Sequence, residues 1–288
     1  MTGPRDPLPA FLTLHRLVAA DPCSVHSQSM RLARLILDVP SPEALACFYV
    51  ERLGMTRRSC QGQILVGYDG EDVAIELRPS HAGASYAHRR IDRYWKIGIT
   101  LPNVDIAYEQ LRDGGVAVTE PRQFGEIGYM CHLDDPEGFK IELLQHDFEG
   151  NRSVQAGDRT SLLGGGARIG QITLRTASLE AALAFYRDRL GMTLLSVQPV
   201  PDYGFTLYFM AFTDEAPPCD DLEAIGNREW LWRRPYTTIE LQDFGDVSTD
   251  FVLPDAGAAG FAGLVINGAG SHADMLVDDG GGAVQLLA

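Results

Sequence analysis

Two distant stretches of the chain alternate apolar and polar residues in the same way and then change period together. "LARLILDV" (32–39) and "IGQITLRT" (169–176) put an apolar side chain at every second position, the rhythm of a half-buried strand. After each comes a serine (Ser41, Ser178), placed to cap a helix, and a glutamate (Glu43, Glu180) suited to the positive end of the helix dipole. Apolar residues then recur at helical spacing: Leu45, Phe48, Tyr49 and Leu53 in one copy, Leu183, Phe185, Tyr186 and Leu190 in the other. Pro42 fits the first helical position, and Gly54 and Gly191 fit the left-handed stop. The words "FYVERLGMT" and "FYRDRLGMT" are the most similar part of a match held at one constant offset, which is the signature of an internal repeat.

Two fainter copies share the outline. "YWKIGITLPNVDIAYEQLRDGG" (94–115) and "FAGLVINGAGSHADMLVDDGG" (261–281) both read as strand, cap, helix and glycine stop. Every copy ends in a related strand: "AIELRP" (74–79), "KIELLQ" (140–145), "TIELQD" (238–243) and "AVQLLA" (283–288). Between helix and last strand the first two copies have room for two further strands, so the unit is βαβββ. The fourth has room for neither and is expected to lack both. The expected fold is α+β, with four tandem units in two paired-unit domains, 31–146 and 168–288. A Gly/Ser/Asp-rich linker, 147–167, joins them, the third unit carries an insertion at 214–237, and 1–30 is a loose extension in which Met30 is a candidate natural start.

Composition narrows the partners. The chain has 288 residues and a formal net charge of −15, which disfavours attraction to nucleic acid phosphates or anionic membranes and leaves a small molecule as the expected partner. No apolar run approaches the roughly 18 residues that span a bilayer, and "AFLTLHRLV" is interrupted by His15 and Arg16, so a signal peptide is not expected. The five cysteines show no C-x-x-C spacing, which fits a reducing cytoplasm better than a disulfide scaffold or structural zinc.

The repeated βαβββ unit, its "FYxxxLGM" words and the closing "DPEGFKIELLQ" resemble the vicinal oxygen chelate superfamily: glyoxalase I, extradiol dioxygenases, and fosfomycin and bleomycin resistance proteins. The resemblance covers about residues 31–288. It implies pockets cupped by curved sheets, with a divalent metal (Zn, Ni, Mn or Fe) held by residues of the first and last strands. The corresponding first-strand residues here are Arg34, Lys96, Gln171 and Gly263, and the last-strand residues are Glu76, Glu142, Glu240 and Gln285. None is histidine, which disfavours the two-His, one-carboxylate iron site of extradiol dioxygenases. Gln171 with Glu240 resembles a glyoxalase I half-site, and Glu142 would complete a three-ligand metal if units two and three face each other. Lys96 breaks the pattern, because an ammonium cannot ligate a cation. If units one and two pair instead, Arg34, Glu76 and Lys96 join Glu142 in an ion-paired, metal-free site.

The function so implied is a glyoxalase I-like lyase or isomerase, in which a metal polarises substrate oxygens and Glu240 or Glu142 moves a proton. The alternative is a metal-free binding or sequestration protein of the bleomycin-resistance kind. Within the insertion, Arg228, Trp230, Trp232 and Arg233 form a candidate clamp for an anionic substrate, since Arg matches carboxylates bidentately. Against that stands an interface sealed by the tryptophans, with the arginines paired to Asp220, Asp221 and Glu223. His132 reads as a hydrogen-bonded structural residue. Homodimerisation is left open.

Overall fold

The computed structural model describes residues 30–287 apart from 61, 69–72, 82, 246–249 and 269–273, so the expected extension lies almost wholly outside the described residues. The first unit is β1 (Arg31–Val39), α1 (Pro42–Leu53), β2 (Thr56–Cys60), β3 (Gln63–Gly67) and β4 (Ala74–Pro79). The second is β5 (Tyr94–Leu101), α2 (Val104–Asp113), β6 (Arg122–Phe124), β7 (Gly128–Asp134) and β8 (Lys140–Gln145). In the third, β9 (Arg168–Thr176) leads to α3 (Leu179–Leu183), which widens into a π-type turn over Ala184–Arg189, and then to β10 (Thr193–Val200) and β11 (Phe205–Ala211). The insertion holds α4 (Gly226–Trp232) before β12 (Thr238–Asp243). The fourth unit has β13 (Gly260–Asn267), β14 (Asp274–Val277) and β15 (Ala283–Leu287).

Local chemistry explains most boundaries. Asn103 caps α2 by accepting from the Asp105 and Ile106 N–H groups, and Ser178 caps α3 by accepting from Ala181. Ser41 makes no such bond, and Pro42 opens α1 instead. Gly54 ends α1 at φ 71°, where a side chain would be strained. The helix expected in the fourth unit is corrected: "DMLV" forms the edge strand β14, with Leu276 buried and Met275 and Val277 exposed. Four residues alternating in this way suit a pleat and are too few for a stable helix. The unit therefore keeps one of the two strands it was expected to lack.

First and last strands of every unit pair parallel, and units join through antiparallel first strands. The seven-stranded sheet runs β14-β15-β13-β1-β4-β3-β2 and the eight-stranded sheet β10-β11-β12-β9-β5-β8-β7-β6. Unit one thus shares a sheet with unit four, and unit two with unit three, so both sheets cross the expected 31–146 and 168–288 division. Small residues at the β5–β9 seam favour this pairing. A Cβ on Gly98 would lie 2.4 Å from Gln171 Cγ, and one on Gly170 would lie 2.4 Å from Thr100 Cγ2.

Sequence neighbours are held differently. Tyr49 of α1 donates to Asp135 in the turn before β8 at 2.8 Å, and Tyr186 donates to Asp278 in the turn before β15 at 2.7 Å. The repeated Phe-Tyr words therefore fasten unit one to unit two and unit three to unit four. A separate buried ion pair crosses between units two and four, from Arg93 just before β5 to Asp278 and Asp279 at 2.8 and 2.6 Å. The larger apolar core draws on both sheets and α1–α3, while a smaller cluster of Ile127, Met130, Leu144, Leu207, Phe209 and Trp232 covers the other face of the eight-stranded sheet. Among the described residues no helix is long and apolar enough to cross a membrane.

Candidate functional site

The concave face of the eight-stranded sheet follows from strand alternation and register. On β9, Gln171, Thr173 and Arg175 share one face. Lys96 of β5 lies opposite Thr173, Gly98 lies between Gln171 and Glu142 of β8, and Glu240 of β12 lies beside Thr173. Four of the eight strand positions singled out in the sequence therefore meet at one place. They open into a cavity of ≈ 420 Å³ with apolar walls that include Phe124, Ile127, Met130, Leu207, Phe209 and Trp232.

Lys96 is the hub. Its Nζ donates to Glu142 Oε1 at 3.0 Å and to Glu240 Oε2 at 3.2 Å, and lies 4.8 Å from the Trp95 ring centroid. Burial works against the ammonium, but attraction to Glu142 and Glu240 outweighs it and keeps Lys96 above its ordinary range. Burial likewise pushes Glu142 up, yet Lys96 and a hydrogen bond from His132 hold its carboxyl at about 2. For Glu240, burial together with repulsion from Glu142 exceeds the attraction of Lys96, and its carboxyl stays above the usual range. Thr173 steadies it by donating to Oε2 at 2.7 Å.

Gln171 donates through Nε2 to Glu142 Oε1 at 2.8 Å. A carboxylate only accepts, so the amide nitrogen must face it, and Gln171 Oε1 is buried with no partner among the described residues. The side chain lies over Gly98. Gly98→Ala is expected to drive Gln171 off Glu142 at a cost of about 1–3 kcal/mol, read from urea denaturation. An unchanged midpoint would show that the seam can absorb the extra methyl.

Glu142, Gln171 and Glu240, the three proposed metal ligands, do come together. The cation between them is Lys96: its N–H groups occupy the carboxylate oxygens that an ion would need, and a second positive charge there would be repelled. With Lys96 charged, this donor set does not fit a divalent metal. Among the described residues no group of three or more His, Cys, Asp or Glu is arranged to hold one.

The other expected clusters separate. Arg34 pairs with Glu76 at 2.9 Å and with Gln63 at 3.2 Å in the seven-stranded sheet, so Lys96 does not join them; the unit pairing has put it in the other sheet. Of the insertion's four candidates, only Trp232 lines the cavity, with Nε1 donating to Ile127 O at 3.2 Å. Arg228 turns to Glu126, Arg233 to Asp147, and Trp230 lies under Arg234. The arginines are paired, though not to Asp220, Asp221 or Glu223.

The polar and aromatic cavity residues not singled out as functional include His132, whose Nε2 is 3.0 Å from Glu142 Oε2, Trp95 and Arg175. Strand alternation puts Arg175 on the same face as Gln171, four positions along the same strand. It is 5% exposed, and its hydrogen bonds among the described residues go to Gln242 Oε1 (3.1 Å), Asp92 O (2.9 Å) and Arg89 O (3.4 Å). Burial brings its pKa down to about 10.

A pocket lined by first and last strands of two joined βαβββ units defines the class. The chain belongs to the Glyoxalase/Bleomycin resistance protein/Dioxygenase superfamily, whose family model matches residues 31–143 and 168–220. It is 26% identical over 208 residues to a probable chloroplastic lactoylglutathione lyase of Arabidopsis thaliana, a match covering 66% of this chain and 53% of that protein. Against the catechol-2,3-dioxygenase of Bacillus subtilis it is 26% identical over 184 residues, covering 55% of this chain and 64% of the other. Glyoxalase I from Zea mays has the same fold, with a TM-score of 0.62 at 20% identity over 90% of this chain and 92% of that one. The chain thus spans about half the length of its Arabidopsis relative.

Proposed function

We propose that this protein binds a small aromatic molecule in the cavity without a metal, the Lys96 ammonium standing where the superfamily resemblance puts a divalent ion. The observation that carries this reading is the position of Lys96 Nζ, 3.0 Å from Glu142 and 3.2 Å from Glu240. A tethered cation bridges the two buried carboxylates and offsets one of their two charges, and the aromatic walls supply the burial that binding requires. The test is to purify the protein without chelator, assay its metal content, and follow melting with Zn²⁺, Ni²⁺, Mn²⁺ or Fe²⁺ and then with a panel of bicyclic aromatics. The expected result is no stoichiometric metal and a melting temperature raised by an aromatic alone. Copurifying metal that raises the melting temperature would sink it.

A second reading, glyoxalase-like proton transfer, is favoured by the raised carboxyl of Glu240 and by the likeness to lactoylglutathione lyases. A carboxyl kept protonated more readily than usual is suited to exchange a proton with a bound carbonyl compound. Turnover of the methylglyoxal–glutathione adduct, lost in Glu240→Gln, would support it over simple binding.

A further inference from the structure

We propose that Arg175 is the anchor for a carboxylate on the ligand, so that the cavity selects aromatic carboxylic acids. The proposal deepens the metal-free binding reading and rests on it.

A buried guanidinium is costly unless an anion compensates it. Among the described residues Arg175 pairs with no carboxylate: its three hydrogen bonds end on one side-chain amide oxygen and two backbone carbonyls. Asp92, whose backbone carbonyl Arg175 reaches, already accepts through its carboxylate from Tyr86 at 2.7 Å and from Arg89 at 2.9 Å. Two neighbouring buried cations are satisfied by acids, Lys96 by two glutamates and Arg93 by Asp278 and Asp279; Arg228, buried on α4, also rests on a backbone carbonyl but does not line the cavity. Arg175 lines the cavity, so the missing anion has space to enter from it.

Charge within the cavity sets the orientation. Glu142 and Glu240 repel a carboxylate from the Lys96 end, and Arg175 stands two residues, roughly 7 Å at the usual strand rise, along β9 from Thr173, the position opposite Lys96 and beside Glu240. Arg90 also lines the Arg175 end, as does His88, whose pKa is lowered by burial and by Arg175 itself. Trp95 lies between the two cations, 5.2 Å from the Arg175 guanidinium carbon and 4.8 Å from Lys96 Nζ, measured to its ring centroid. An aromatic acid seated with its carboxylate on Arg175 therefore lays its rings over Trp95 toward the apolar walls, and an Arg fork matches the two carboxylate oxygens.

The probe pair is 2-naphthoate and its neutral isostere 2-naphthamide, with binding followed by calorimetry and tryptophan fluorescence. Wild type is expected to bind the acid at least about tenfold tighter than the amide. In Arg175→Met that preference disappears while amide affinity holds within about twofold, which a misfolded cavity would not allow; Arg175→Lys restores part of it. Equal affinity for acid and amide in wild type, or a preference that survives in Arg175→Met, overturns the carboxylate anchor and leaves the aromatic-binding reading standing. Failure of both compounds to bind wild type overturns both readings.

Discussion

Lys96→Met is expected to lower stability by about 3–5 kcal/mol at neutral pH, among the largest effects of any single substitution in this chain. The methionine fills nearly the same volume, so the loss does not come from a cavity. It comes from leaving Glu142 and Glu240, both buried and both bonded to Lys96 Nζ, without their shared cation. The pH dependence separates this cause from mispacking. In the wild type, Glu142 is held at about 2, below its unfolded range, so its contribution is present above about pH 4.5 and lost as pH falls toward 2. Lys96 is raised, so its contribution is present below its unfolded value near 10.5 and lost as pH climbs through the folded value. In Lys96→Met the two carboxyls can be accommodated by taking up protons, so the deficit relative to wild type should shrink between pH 7 and pH 4. Urea denaturation at both pH values decides it: a deficit that is absent, or equal at both, would remove Lys96 as the electrostatic centre of the site.

Lys96→Gln is expected to gain what the wild type does not bind. An amide in place of the ammonium frees the carboxylate oxygens and adds a fourth oxygen donor to Glu142, Gln171 and Glu240. At a hundredfold excess over its Kd, a metal would add about 2.7 kcal/mol, which for a chain of this size corresponds to a rise in melting temperature of roughly 4–5 °C. Zn²⁺, Mn²⁺ and Ni²⁺ should shift the variant and leave wild type unmoved. A flat response in the variant would mean that the three side chains converge for one another's hydrogen bonds and do not form a latent coordination shell.

The repeat, α1, α2 and most strands were legible because period and caps agreed at each of them. β14 was not, because four alternating residues beside glycines carry too little pattern to outweigh the analogy with the other units. Which units share a sheet was also hidden. It depends on residues far apart in sequence, Gly98 under Gln171 and Gly170 beside Thr100, whose fit has no local signature. At the site, the superfamily resemblance pointed to first- and last-strand positions, and the repeat located them at Lys96, Glu142, Gln171 and Glu240. The insertion was misleading because its Arg and Trp residues cluster in sequence, whereas α4 points Trp232 into the cavity and leaves Arg228 and Arg233 with outside partners. Arg175 was passed over because a charged residue in an alternating strand reads most simply as solvent-facing. Its burial becomes visible only when β12 and β5 flank β9.

The two kinds of joint between units have a consequence for how the protein comes apart. Unit one is tied to two by Tyr49, two to three by β5–β9, three to four by Tyr186, and four back to one by β13–β1. The chain is linear, but its contacts close into a ring, and no unit is a terminus in space. Unlike a row of repeats that can fray from either end, a closed ring gives way only by breaking two joints at once, which favours a single cooperative unfolding transition over stepwise loss of units.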